Sequence, residues 1–273
     1  MSAVDKLFAN LPKLPSMPKV VQELIASLCR DDVDIASLVE QVKQDQSLSA
    51  RVLAMANSSV YGVSQKIGEI DRAVTLIGLS ALRSLVIASG VSRAFNKIEG
   101  VDMKKFWKHS MVSAGVARVI GKREGINPEF AYTAGLMHRS GQLVIHMAFP
   151  AAAKQLERSQ APEGTEMLKI ERSLTETDHC EVGAELARRW NFPQEIIDAL
   201  RGYVVPMSSG SALAAVTHLS SRIAEGLLNG ESPEAIADSL DPEVMARLMI
   251  ERADVLWRIE SCRELAEQSD QLV

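Results

Sequence analysis

The dipeptide His138-Arg139 decides most about whether this chain could hold a divalent metal. Such a cation needs several lone pairs converging within bonding distance, preferably with negative charge among them. One octapeptide opposes that chemistry. In Ala134-Gly135-Leu136-Met137-His138-Arg139-Ser140-Gly141, an arginine follows the histidine where a metal-dependent hydrolase would need a carboxylate. Arginine keeps its positive charge and has no lone pair to offer. Nucleophilic signals are poor as well. Ser140-Gly141 lacks the G-x-S-x-G context of a nucleophile elbow. Cys180 follows His179 directly, an adjacency that does not itself make a thiol–base pair, and it is expected to be buried. A second option is that His109, His138 and Arg139 line a cationic pocket for a phosphate or nucleotide, because a guanidinium binds anions bidentately. No Gly-rich phosphate loop accompanies them. The plain alternative for each histidine is a core residue satisfied by a nearby backbone group or hydroxyl, and for Arg139 a structural ion pair.

The 273 residues that must position these groups are 47% apolar, 24% charged and only 4% aromatic, the composition of packed helices rather than of strands or disorder. Cys29, Cys180 and Cys262 are odd in number, far apart and in no C-x-x-C arrangement. Neither a disulfide framework nor a zinc ribbon is encoded, and a reducing cytoplasm is expected. The N-terminus lacks the basic start and apolar run of a signal peptide, and no stretch approaches ~18 uncharged apolar residues, so no membrane span is expected. Formal charge is −5, unevenly placed: residues 1–150 hold 18 Lys+Arg and 13 Asp+Glu, residues 151–273 hold 12 and 22. No basic cluster with interleaved aromatics appears, so nucleic acid is not favoured as a partner.

Apolar periodicity and capping residues predict the helices. Ser16 is read as the cap of a first helix through Val20, Val21, Leu24, Ile25 and Leu28, Asp34 of a second through Val42, and Ser47 of a third through Met55 that ends at Asn57-Ser58-Ser59. Asn57 is expected to end it as a residue tolerant of positive φ. After the Tyr61-Gly62 turn, Asp71 opens a short helix stopped by Gly78, and Ser80 caps another towards Phe95. Beyond a loop at Gly100 come a long helix from Asp102 to Glu124 and one begun by Asn127-Pro128 that carries His138. Pro150 breaks the chain. Helices are expected over Glu163 to Arg172, Glu176 to Trp190, from Pro193 to near Tyr203, from Ser208 to Asn229, across Pro233 and Pro242, and from Arg252 to Gln268.

Several of these segments together resemble the HDOD family, output domains related to the HD phosphohydrolases. The resemblance is carried by Leu14-Pro15-x-x-Pro18, by Asp45-Gln46-Ser47-Leu48 through Val52-Leu53 to Ala56-Asn57-Ser58 and Tyr61-Gly62, and by Ile70-Asp71-Arg72-Ala73 with Leu76-Ile77-Gly78. Ala134 to His138, His179-x-x-x-Gly183-x-x-Leu186-x-x-x-Trp190 and Phe192-Pro193 follow in family order, so residues 11–225 are covered. Periodicity and resemblance together lead to an expected all-α fold: an N-terminal five-helix bundle (11–100) packed on a degenerate HD-like helical core (101–225), with 226–273, which have no clear counterpart in the resemblance, a C-terminal helical extension.

The resemblance also assigns the metal positions of the HD hydrolases to seven residues here. His109, His138 and His179 match; Arg139 replaces the aspartate, Tyr203-Val204 a His-His pair, and Ser221 the last aspartate. Three of seven survive and none is anionic. An arginine in the aspartate's place would oppose a dication by about 8 kcal/mol at ~4 Å and an effective dielectric near 20. The expectation is therefore a non-enzymatic bacterial signal-transduction protein without catalytic residues, metal or cofactor. It would bind partners such as a sensor kinase, a response regulator or a cyclic-dinucleotide enzyme in trans. The alternatives are a residual metal-dependent phosphohydrolase using His109, His138 and His179, and a nucleotide or anion sensor using the Arg139 pocket.

Overall fold

The computed structural model describes residues 2–11, 15–17, 19–26, 35–58, 61, 63, 65–95, 97–159 and 164–268. Among these there is no strand; the regular structure is helical, as composition and resemblance imply. The chain divides into two compact units, Ser16–Ala94 and a larger one made of Met1–Pro15 with Phe95–Val273. The first helix, α1 (Ala3–Ala9), belongs to the larger unit and opens with a capping box between Ser2 and Asp5.

In the smaller unit the apolar stripes lie where periodicity placed them. α2 (Lys19–Ala26) buries Val21 and Ile25, α3 (Ile35–Gln44) buries Leu38, Val39 and Val42, and α4 (Gln46–Ala56) buries Leu48, Val52 and Ala56. α5 (Ile70–Ala94) is interrupted at Gly78, whose φ of 80° suits a residue without a Cβ, and resumes at once. By length and composition α5 would suffice to cross a membrane, but 61% of its apolar window is buried inside the fold, as in a core helix.

The caps differ from expectation where a carboxylate competes with a hydroxyl. α4 is opened by Asp45, not Ser47: its carboxylate accepts from the Ser47 and Leu48 N–H groups at 3.0 and 3.1 Å. Arg93 grips the same carboxylate at 2.5 and 2.9 Å and, with those N–H groups, holds its pKa down at about 2. The residue preceding α2 lies outside the described residues, and so does the cap read for Ser16. Asn57 ends α4 at φ −91°, not in the left-handed region. Its amide instead clamps the following loop, donating to Leu53 and Ile67 carbonyls and accepting from the Ile67 N–H at 2.8 Å. The roles read for Leu14, Pro18, Leu28, Asp34, Ser59 and Gly62, and the helix start at Glu163, lie outside the described residues.

The larger unit continues with α6 (Met103–Arg123), capped by Asp102, and α7 (Pro128–Met137), capped by Asn127 with proline in its first turn. α8 (Ser140–Ala148), α9 (Pro150–Ser159) and α10 (Thr165–Thr175) follow. α11 (His179–Arg189) starts three residues later than the pattern predicted, because Glu176 is left-handed (φ 61°) and Asp178 supplies the cap. After α12 (Gln194–Gly202), a single helix from Ser208 to Asn229 was expected. Gly210 at φ 71° instead divides α13 (Pro206–Ser209) from α14 (Ala212–Leu228), which Ser211 caps. Pro233 and Pro242 open α15 (Pro233–Asp238) and α16 (Pro242–Arg247), and α17 (Arg252–Gln268) ends the described chain.

Packing in this unit centres on α6, which lies against α7 and α14, while α11 lies against α8 and α12. Glycines allow the closest approaches. A Cβ on Gly135 would meet Ala114 Cα and Ser113 O at 2.9 Å, and one on Gly141 would run into the His179 carbonyl and, at 2.7 Å, the Gly183 nitrogen. Trp190, at the end of α11, buries its ring and donates from Nε1 to the Pro15 carbonyl at 3.1 Å.

Candidate functional site

The seven positions singled out in the sequence are all supplied by the larger unit. α6 contributes His109, the C-cap of α7 is His138, Arg139 links α7 to α8, and His179 is the first residue of α11. Tyr203 is the C-cap of α12, with Val204 after it, and Ser221 sits on α14. The helices draw these residues into a row. The His109 and His138 rings lie 5.5 Å apart, and Tyr203 stands between His138 (5.1 Å, edge-on) and His179 (5.8 Å).

Hydrogen bonding along the row is directed inward. His138 is 1% exposed, and its Nδ1 lies 2.7 Å from the Gly135 carbonyl. A carbonyl only accepts, so Nδ1 carries the proton, which leaves Nε2 to accept from the Ser221 hydroxyl at 3.1 Å. His179 Nδ1 lies 2.6 Å from Glu171 Oε2, which also accepts the His179 backbone N–H at 2.8 Å, and its Nε2 lies 2.7 Å from the Tyr203 hydroxyl. Tyr203 and Ser221 therefore occupy ring nitrogens that a metal would need. Val204 is buried and brings no donor atom.

Glu171 is the functional residue that the sequence reading missed. It is 1% exposed on α10, where a helical glutamate is normally solvated. One signal was present: Glu171 falls on the buried stripe of α10, between Leu168 and Thr175.

The electrostatics of the row are polarised. Burial opposes charge on His179, but the Glu171 carboxylate 2.6 Å from its Nδ1 holds the imidazole pKa above the ordinary histidine value. Burial pushes the Cys180 thiol up, so it is not a thiolate at neutral pH. His109 behaves oppositely: burial, then the positive charge of Arg139, brings it down to about 3 despite a hydrogen bond to the Ser221 backbone.

That depression has a pH consequence. Unfolded histidine titrates near 6.5, so as pH falls below ~6.5 the unfolded chain takes up a proton that folded His109 refuses, and stability drops by about 1.4 kcal/mol per unit until pH ~3. Urea unfolding at pH 7 and pH 4.5 is expected to show a loss of about 3 kcal/mol from this residue. His109→Gln, which cannot titrate, should flatten that loss.

The site does not fit the metal that an HD core implies. Both ring nitrogens of His138 and of His179 are engaged by protein groups, and among the described residues no three His, Cys, Asp or Glu side chains are grouped to hold an ion. Arg139 donates from Nε to Gln142 at 3.1 Å and lies 5.5 Å from the Phe106 ring centre. It lines a cavity of about 650 Å³, as does His109, with Lys105 and Lys108. His138, read as a third wall residue, does not line that cavity; it is buried between Gly135 and Ser221.

Fold and site together define an all-helical protein in which four of the seven positions that the resemblance assigns to metal, His138, His179, Tyr203 and Ser221, serve as internal hydrogen-bond partners. The HDOD domain family model matches residues 14–204. The chain belongs to the HDOD family. It is 27% identical over 194 residues to an uncharacterised protein of Treponema pallidum (strain Nichols), covering 70% of this chain but only 38% of that protein. Among solved structures it is similar to a protein of Shewanella amazonensis SB2B that bears a provisional phosphohydrolase name, with 29% identity, TM-score 0.80 and 98% of each chain covered. An HDOD domain protein of unknown function from Geobacter sulfurreducens shares the fold at 23% identity and TM-score 0.82, over 99% of this chain and 97% of that one.

Proposed function

We propose that this HDOD protein is a non-catalytic module of bacterial signal transduction, acting in the cytoplasm through protein–protein contacts, with the HD core retained for its shape. The observation that carries the reading is the consumption of His138 and His179 on both ring nitrogens by Gly135, Ser221, Glu171 and Tyr203. A metal could bind only by breaking those bonds, and no carboxylate from the family positions would replace them. The partners proposed are a sensor kinase, a response regulator or a cyclic-dinucleotide enzyme acting in trans. Short amphipathic helices give such a protein docking faces without chemistry.

The competing reading is the one in the name of the Shewanella relative, a phosphohydrolase. Metal analysis of protein expressed with added zinc, iron and manganese, together with an assay on a chromogenic phosphodiester, separates the two. The expected result is substoichiometric metal, no turnover, and neither value altered by His138→Ala. Near-stoichiometric metal and turnover, both abolished by His138→Ala, would sink the proposal.

A further inference from the structure

We propose that the cavity beside Arg139 is a binding site for a small phosphate ester that also carries N–H donors. The cavity lies wholly within the larger unit, and its volume of about 650 Å³ falls in the usual range of small-molecule sites, roughly 300–1,000 Å³. Its polar lining has two kinds of group. Lys105 and Lys108 on α6, with Arg139, present ammonium and guanidinium chemistry suited to phosphate. Glu157 on α9 and Glu225 on α14 present carboxylates, which only accept hydrogen bonds. Phe106, Leu143 and Leu156 supply apolar surface between them.

The buried His109 is the independent observation that points to a ligand. His109 lines the cavity, is 7% exposed, and its Nδ1 has no hydrogen-bond partner among the described residues. The ring's one hydrogen bond goes to the Ser221 backbone, whose carbonyl only accepts, so the other nitrogen carries the proton and Nδ1 is left as a lone pair that wants a donor. His146, on the same cavity, likewise has a buried Nδ1 without a hydrogen bond, 3.9 Å from Glu157 Oε1. Inorganic phosphate would use the cations and leave His109 Nδ1 and the two carboxylates unmatched; a simple amine would do the reverse. Guanosine monophosphate carries both functions, a phosphate at one end and the N1–H and N2–H₂ edge of guanine at the other. Adenine has only its N6 amino group to offer. The inference does not rest on the partner-docking proposal, because it concerns binding to the isolated chain.

Calorimetric titration of the full chain with 5′-GMP, 5′-AMP and inorganic phosphate tests it. Saturable GMP binding is expected, with AMP and phosphate each weaker by about tenfold or more, the worth of one well-made polar contact. Arg139→Gln and Glu225→Gln should each weaken GMP by at least about tenfold. Lys105→Gln, on the same wall, serves should Arg139→Gln fail to fold. No saturable heat at millimolar GMP would overturn the proposal. So would phosphate binding as tightly as GMP, or GMP affinity untouched in the folded variants. Any of these results leaves the docking proposal standing, since no partner is involved.

Discussion

Glu171→Ala is expected to cost about 3–5 kcal/mol of folding stability, the cost of removing one partner of a buried ion pair. The carboxylate is 1% exposed and takes two hydrogen bonds from one residue, the ring and the backbone N–H of His179. Deleting it leaves a buried imidazole without its counter-charge and a buried N–H at the start of α11 without an acceptor. Glu171→Gln retains an acceptor but not the charge, and should fall between wild type and alanine. The penalty also depends on pH. His179 titrates higher folded than the ~6.5 of an unfolded chain, so its pairing energy is fully present below that value and fades as pH rises through the raised folded value. Urea unfolding should therefore show the Glu171→Ala deficit at its largest below pH ~6.5 and shrinking in alkali. A deficit under about 1 kcal/mol, constant with pH, would mean that the pair does not organise the row.

Gly141→Ala is expected to cost about 3 kcal/mol or more, at or beyond the upper end of overpacking penalties. The added methyl would meet backbone, the His179 carbonyl and the Gly183 nitrogen, and backbone cannot rotate away as a side chain does. α8 and α11 would have to separate, carrying His179 from Tyr203. Gly183 provides the control. A Cβ there meets nothing closer than 3.5 Å, so Gly183→Ala should be tolerated and can gain up to about 1 kcal/mol of helix propensity. Thermal and urea unfolding of the two variants give the comparison. Equal effects would contradict the proposed helix contact.

The contrast between these glycines shows what the sequence made legible. Helix boundaries set by local chemistry were readable: Asp102 and Asn127-Pro128 open the helices they announce. So were the three histidines and their substituted neighbours, through motif order. Long-range competition was not readable. Asp45 displaced Ser47 as a cap while also binding Arg93, 48 residues away, and Gly141 proved stringent only because α11 crosses it. Glu171 was hidden by its type, since a glutamate in an amphipathic helix reads as solvated unless its place on the Leu168–Thr175 stripe is given more weight than its charge. Lys105, Lys108, Glu157 and Glu225 converge on one cavity from three helices, a convergence that spacing along the chain does not encode.

His138 and His179 spend both ring nitrogens on Gly135, Ser221, Glu171 and Tyr203. Histidine ring ¹⁵N spectra, recorded at pH 7 with and without one equivalent of zinc, test this atom by atom. The expected spectra show His138 protonated on Nδ1, His179 protonated on both nitrogens, His109 neutral, and no ring signal moved by zinc. Zinc-induced shifts of His109, His138 and His179 together, with loss of the His179 proton, would show a working metal site and contradict that arrangement.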